Sequence, residues 1–129
     1  MSNKTDHFEI EIILSHLNSN SKKIFNEILL AKKNYMWATI IVFSLTILDN
    51  IFHQDDTNDL VDGLELNKIT YSKDISWLRK KRNVILHYEN SENDKSIGFF
   101  NDEDLKKASF KAYNILCKNL IKLHKNRNI

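Results

Sequence analysis

The sequence is short of three residue types that shape many folds, with no proline, two glycines and one cysteine among 129 residues. Turn-rich β-sandwiches and β-barrels depend on proline and glycine, so the scarcity of both argues against those folds. The single Cys117 excludes an internal disulfide and a multi-cysteine zinc site. It also fits a reducing compartment, and no signal peptide is recognisable, so we expect a cytoplasmic protein.

The chain also lacks a strong charge of either sign and a long apolar run. Nineteen basic and seventeen acidic residues leave a formal charge of +2, which does not by itself indicate nucleic-acid binding. The most apolar stretch, Tyr35 to Leu48, is shorter than the roughly 20 residues that span a bilayer, so we expect a buried helix and no membrane partner. With 42% hydrophobic and 28% charged residues, positions 1–129 predict a single globular domain.

Hydrophobic periodicity predicts four helices, at about Asp6 to Lys33, Asn34 to His53, Thr70 to Tyr88, and from an N-cap at Asn101 onward. The first helix has a weak point at Leu17–Ser21, where Asn and Ser favour turns, so a break in this helix is expected there. The predicted fold is therefore an all-α antiparallel bundle of four helices, or up to five.

Two polar segments separate these helices. Residues 54–68 are acidic and contain Gly63, and their similarity to a calcium loop fails at Leu60 and Leu66, so a solvated loop is predicted. Residues 89–100 are polar and contain Gly98, which also predicts a loop. Asp49, the one charge of the apolar second helix, is expected to face a polar pocket or an interface.

The third predicted helix separates its residues into two faces. With Arg82 at 0° and about 100° per residue, the core face spans roughly 200° to 320° and the polar face roughly 60° to 140°. The chain has three Arg and sixteen Lys, yet two of the three Arg lie on or beside the polar face, which indicates bidentate recognition of phosphate or carboxylate. The core face holds Trp77, Leu78, Val84, Ile85 and Tyr88, and the polar face holds Arg79, Asn83, His87 and Asn90, with Arg82 at its border.

The segment from Arg82 to His87 resembles the Arg-polar-x3-His signature of HEPN (higher eukaryotes and prokaryotes nucleotide-binding) domains. The order of elements also resembles that family, because an apolar helix precedes the motif and a polar loop and an amphipathic helix follow it. The resemblance implies a dimeric helical bundle that cleaves RNA without a metal or other cofactor. It further implies a toxin of a toxin–antitoxin pair or a phage-defence effector, with RNA and a cognate antitoxin, for example a nucleotidyltransferase, as partners.

Carried over from that family, Arg82 binds the scissile phosphate, His87 transfers protons and Asn83 orients these groups. Imidazole suits both proton roles because its ordinary pKa is about 6.5. One helix supplies one such imidazole, so a homodimer is expected, with the site composed from two protomers. Arg79, Lys80 and Asn90 are the expected substrate-binding residues.

One position departs from the HEPN toxins that are paired with a nucleotidyltransferase. Their modified Tyr often lies two residues after the His, whereas this chain has Glu89 there and Tyr88 one position earlier. Control by adenylylation of such a Tyr is therefore not expected to transfer directly.

Other interpretations of the same residues remain open. Arg79 and Arg82 are also compatible with ion pairs to the acidic segment 55–65, and His87 with a simple helix cap. The alternative function is a non-catalytic module that binds nucleotide, nucleic acid or protein through the same basic face, and a third is a subunit of a larger assembly. No metal site is predicted, and three residues are expected to be core residues: Cys117, Trp37 and Trp77.

Overall fold

The computed structural model describes residues 4–87 and 101–127, apart from the side chains of residues 4–6 and 58. The described residues form a helical bundle, which confirms the all-α prediction. Five helices have 13 or more residues and two are short. The seven helices are α1 (Lys4–Leu17), α2 (Ser21–Lys33), α3 (Trp37–Phe52), α4 (Thr57–Leu60), α5 (Gly63–Thr70), α6 (Lys73–Leu86) and α7 (Asp102–Lys125).

The first predicted helix is divided at its weak point, between Leu17 and Ser21. Asn18 stabilises the turn because its side-chain oxygen accepts hydrogen bonds from both the backbone N–H and the hydroxyl of Ser21, each at 3.1 Å. Its amide donates to the Gln54 side chain at 2.7 Å, which ties the turn to the segment that follows α3. The competition of Asn and Ser with helical hydrogen bonds explains why the helix ends here.

Helix α3 is the centre of the bundle and packs against α2, α6 and α7. An element enclosed on several sides must be apolar around most of its circumference, and this sequence is. Its inward side chains are less than a tenth exposed, so the prediction of a buried core helix is confirmed. The buried apolar residues of α3 are Trp37, Ile40, Ile41, Leu45, Ile47, Leu48 and Ile51.

The acidic segment 54–68 is not the solvated loop that its composition predicts, because it contains the short helix α4 and most of α5. Gly63 begins α5 instead of breaking the chain, since the Asp62 side chain caps the helix by accepting from the Leu64 N–H at 2.9 Å. Val61 and Leu66 are buried in the core. The burial of the apolar residues between the acidic ones determines the structure of this segment, and the acidic composition does not.

Helix α7 begins as predicted, with the Asn101 side chain accepting from the Asp104 N–H at 2.8 Å. It runs antiparallel to α6, because Lys118 pairs with Asp74 near the start of α6 while Lys111 lies beside Trp77 further along it. Phe110, in the first half of α7, contacts Trp37, the first residue of α3. The start of α3 therefore packs against the first half of α7.

None of the described helices combines the length and the hydropathy that a membrane crossing requires. Cys117 lies partly buried in α7 and packs against the core, as predicted.

Candidate functional site

Helix α6 has the two faces that the sequence predicted. Its first turn is capped by Ser72, whose hydroxyl accepts from the Ile75 N–H at 3.3 Å. Leu78 and Val84 are buried, and Trp77 and Ile85 are partly buried. The packing of this side against the bundle fixes the rotation of the helix and therefore the direction in which the polar side chains project.

The two arginines of α6 converge on one carboxylate of α3. Arg79 binds Asp49 with two hydrogen bonds, from Nη2 to Oδ1 at 2.9 Å and from Nη1 to Oδ2 at 3.3 Å. Arg82 adds a bond from Nη1 to Oδ2 at 3.2 Å. These three residues are hereafter called the arginine cluster. The Asp49 side chain is 20% exposed, and those of Arg79 and Arg82 are 33% and 27% exposed.

This geometry corrects one expectation about the arginines and resolves another about Asp49. The acid that pairs with both guanidiniums is Asp49 of α3, and not a residue of the acidic segment 55–65. Asp49 does face a polar environment, as predicted, which the α6 guanidiniums provide. The polar side of α6 is therefore partly packed against α3, because one carboxylate accepts hydrogen bonds from both guanidiniums.

The arginine cluster retains positive charge. Two guanidiniums and one carboxylate leave a net charge of +1. Arg82 uses only Nη1 to contact Asp49, and its Nε is buried with no hydrogen-bond partner among the described residues. The net positive charge and the partly exposed guanidiniums are features that favour an anion such as a phosphate at this position.

His87 lies at the C-cap of α6, one turn beyond Asn83. Its backbone N–H donates to the Asn83 carbonyl at 2.9 Å, which fixes the backbone from which the imidazole projects. The side chains of His87, Asn83 and Lys80 are exposed to solvent. The structure thus brings Arg82 and Arg79 together at Asp49 and places His87 separately, at the exposed end of the same helix.

Three predicted positions cannot be compared with the structure. Asn90, expected to bind substrate, lies outside the described residues, as do Tyr88 and Glu89.

A second histidine lies near the arginine cluster without joining its hydrogen bonds. His53 is the C-cap residue of α3, and its Nε2 is 3.9 Å from Asp49 Oδ1. That separation is too long for a hydrogen bond, and the side chain is 73% exposed. His53 and His87 are therefore both exposed histidines at the C-cap of a helix. Only His87 belongs to the segment from Arg82 to His87 that resembles the HEPN signature.

The Trp77 ring of α6 is contacted by two lysines, one from α6 and one from α7. The ammonium of Lys111 lies 4.3 Å from the centroid of the Trp77 ring, and that of Lys81 lies 5.7 Å from it. Partial burial lowers the pKa of Lys81 from its ordinary value, and the charge of Lys111 adds to the effect while Asp104 opposes it. A groove of about 370 Å³ lies between α6 and α7. The residues that line it are Asp74, Lys111, Asn114, Ile115 and Lys118.

The structure also brings together residues that the sequence did not connect. His16 of α1 and His124 of α7 have ring centroids 5.7 Å apart. Burial lowers the pKa of His124 from its ordinary value, with Arg127 and His16 adding to the effect and Glu9 opposing it. A separation of more than one hundred positions left no local signal for this pair.

The described residues contain no group of three or more His, Cys, Asp or Glu side chains placed to hold a metal ion. Comparison of the chain with protein-family models, with curated proteins and with solved structures finds no match. The functional argument therefore depends on the residues of this chain and on their geometry.

Proposed function

We propose that the protein is a metal-independent endoribonuclease of HEPN type, with Arg82 and His87 as its catalytic residues. The observation that carries the proposal is the arrangement at the end of α6. A guanidinium cluster of net positive charge, held by Asp49, lies on the same helix as an exposed imidazole. These are the groups that phosphoryl transfer to a ribose hydroxyl requires.

In the proposed reaction, the ribose 2′ oxygen attacks the adjacent phosphorus while the bond from phosphorus to the 5′ oxygen breaks. A neutral imidazole accepts the proton of the 2′ hydroxyl, and a protonated imidazole donates a proton to the departing 5′ oxygen. Arg82 stabilises the negative charge that develops on the phosphoryl oxygens. The products are a 2′,3′-cyclic phosphate and a 5′ hydroxyl, and the proton count is balanced.

Because one imidazole cannot perform both proton transfers at the same moment, the proposal includes a homodimer. Two-fold symmetry brings two copies of Arg82 and His87 to one composite site. Asn83 is proposed to orient these groups, and Lys80, Arg79 and Asn90 to bind the RNA. A toxin or phage-defence role in the cytoplasm, under the control of a cognate antitoxin, completes the proposal.

The test is cleavage of mixed RNA by the purified protein in EDTA, compared with His87→Ala and with His53→Ala as the matched control. We expect chelator-resistant cleavage that is lost in His87→Ala and retained in His53→Ala. Removal of a general acid–base group lowers such rates by about 100-fold or more. Equal cleavage by wild type and His87→Ala would contradict the assignment, and so would equal loss in both variants.

The alternative function, a non-catalytic module that binds nucleic acid, nucleotide or protein, is favoured by one specific observation. Arg79 is already bound by Asp49 in a bidentate pair, which is the geometry of a structural ion pair as well as of a binding site. Under this alternative, wild type shows no cleavage in EDTA, while RNA binding persists and weakens in Arg82→Ala.

A further inference from the structure

Tyr35 has a backbone conformation that is unusual for its residue type. Its φ is 58°, and it is the only described residue other than glycine with a positive φ. The α2 terminus has the Schellman pattern, because Met36 N–H donates to the Ala31 carbonyl at 2.9 Å and Tyr35 N–H to the Lys32 carbonyl at 3.5 Å. Glycine is the usual residue at this position, since a Cβ atom is strained there. A bulky aromatic residue in its place is retained despite a conformational cost.

The ring of Tyr35 does not compensate for this cost by burial. Its side chain is 74% exposed, and it meets the edge of Trp37 at a centroid distance of 5.7 Å. Trp37 in turn meets Phe110 of α7 at 5.8 Å, and Phe110 is 48% exposed. Tyr35, Trp37 and Phe110, called here the aromatic patch, therefore form a buried indole with one exposed ring on either side.

Lysines lie close to the aromatic patch, one in contact with its rings and others near it in the sequence. The ammonium of Lys106 lies 5.8 Å from the ring centroids of both Trp37 and Phe110. Lys32 and Lys33 end α2 immediately before the patch, and Lys107 is exposed beside Lys106. The acidic residues of α7 nearest in sequence are 102–104, in its first turn. Exposed rings combined with cations are the features of proteins that bind single-stranded nucleic acid, where bases stack and phosphates are neutralised.

The aromatic patch and the arginine cluster lie at different points along α3. Trp37 begins this helix and Asp49 lies in its last turn, twelve residues later, which corresponds to about 18 Å along the helix axis. A strand of RNA whose phosphate lies at the arginine cluster would extend over that distance to place its bases at the patch.

We propose that the aromatic patch binds the bases of single-stranded RNA, with Tyr35 and Phe110 as stacking surfaces and Lys33, Lys106 and Lys107 as phosphate contacts. The proposal rests on the proposed function, since it names the substrate of that site as unpaired RNA. It also explains why a tyrosine is found where a glycine is conformationally preferred.

The test measures binding and not cleavage, so that it does not depend on the catalytic assignment. A fluorescein-labelled oligouridylate is titrated with the His87→Ala protein, and its anisotropy is followed with Tyr35→Gly and Phe110→Ala added separately to that background. Each variant is expected to weaken binding about five-fold or more, the loss of one base–aromatic stack. The matched control is Tyr71→Ser, because Tyr71 is 83% exposed at the opposite end of α6.

The thermal midpoint separates this effect from unfolding. Tyr35→Gly is expected to keep or raise the Tm, since glycine adopts positive φ without strain, while its affinity for RNA falls. Unchanged affinity in Tyr35→Gly and Phe110→Ala would overturn the proposal, as would equal weakening by Tyr71→Ser or no binding of the oligouridylate at all. If the variants instead dissociate a dimer without changing RNA affinity, the proposal is also wrong and the patch joins two copies of the chain.

Discussion

The protein concentrates positive charge in two regions that are built differently. In the arginine cluster, two guanidiniums share the Asp49 carboxylate, and all three side chains are at least two-thirds buried. At the aromatic patch, Lys106 lies over aromatic rings, and both Lys107, which follows it in α7, and Lys33, which ends α2, are exposed. The first region is fixed by an internal counter-ion, and the second offers its charge directly to solvent.

The difference indicates two distinct uses of a cation. A carboxylate partner holds an arginine in one position, so the guanidinium binds a phosphate in a fixed geometry. The carboxylate then competes with the phosphate for the same guanidinium. A lysine on a flexible stem beside a ring attracts anions without selecting their orientation. In the proposed nuclease, the first would bind the reacting phosphate and the second would hold the rest of the strand.

The largest expected effect comes from removing the shared counter-ion. Asp49→Asn leaves two guanidiniums, each about two-thirds buried or more, close together without a compensating charge. Loss of one partner of a buried ion pair costs 3 to 5 kcal/mol, and the partial exposure reduces this to about 2 kcal/mol of unfolding free energy. Urea denaturation checks the value. The control is Asp55→Asn, an exposed acid, whose effect is expected within about 0.5 kcal/mol of zero.

We expect the two arginines to differ in how much the free energy of unfolding falls when lysine replaces the planar guanidinium. Arg79→Lys loses a bidentate pair with Asp49, whereas Arg82→Lys loses a single hydrogen bond. We expect Arg79→Lys to cost about 1 kcal/mol and Arg82→Lys less, because lysine cannot reproduce the planar fork. Denaturation of both variants provides the comparison. A larger cost at Arg82 would show that the bidentate geometry does not determine the strength of the cluster.

At the aromatic patch we expect a substitution that raises the free energy of unfolding, whereas the substitutions in the arginine cluster lower it. Tyr35→Gly relieves the left-handed strain and is expected to stabilise the fold by about 0.5 kcal/mol, after the greater freedom of glycine in the unfolded chain is deducted. The neighbouring Asn34→Gly is the control, because it removes the hydrogen bond from the Asn34 amide to the Leu30 carbonyl and relieves no positive φ. Stabilisation by Asn34→Gly, or marked destabilisation by Tyr35→Gly, would contradict this account.

The smallest expected effect on stability concerns His124, which lies close to His16 and Arg127. The pKa of His124 is lowered in the folded protein by burial and by Arg127 and His16, with Glu9 opposing. The unfolded chain therefore binds a proton more readily, so this contribution to stability is present above pH 6.5 and is lost as the pH falls below it. His124→Gln is expected to reduce the loss of Tm between pH 7.5 and pH 5. An unchanged or steeper loss would exclude His124 as its source.

The sequence predicted those features that depend on local patterns. Asn101 before an acidic turn predicted the start of α7, and the polar run 17–21 predicted the division of the first helix. The apolar stretch from Tyr35 predicted a buried helix, although Tyr35 itself is exposed at the turn before it. Local composition is sufficient in these cases because caps and periodicity involve neighbouring residues.

The features that the sequence did not reveal depend on tertiary contacts. Asp49 was expected to face a polar environment, but its two partners lie about 30 positions away and emerge only when α3 packs on α6. Tyr35 occupies a position where glycine would have signalled the turn. The helices α4 and α5 were missed because the burial of Val61 and Leu66 outweighs the acidic composition around them.

The most direct test of the central claim is the chemical identity of the ends produced when the protein cleaves RNA in EDTA. Attack by the ribose hydroxyl, assisted by His87 and Arg82, predicts fragments that end in a 2′,3′-cyclic phosphate and begin with a 5′ hydroxyl, as read by mass spectrometry. Fragments that instead end in a 3′ hydroxyl and begin with a 5′ phosphate would contradict it, because those ends arise when water attacks the phosphorus.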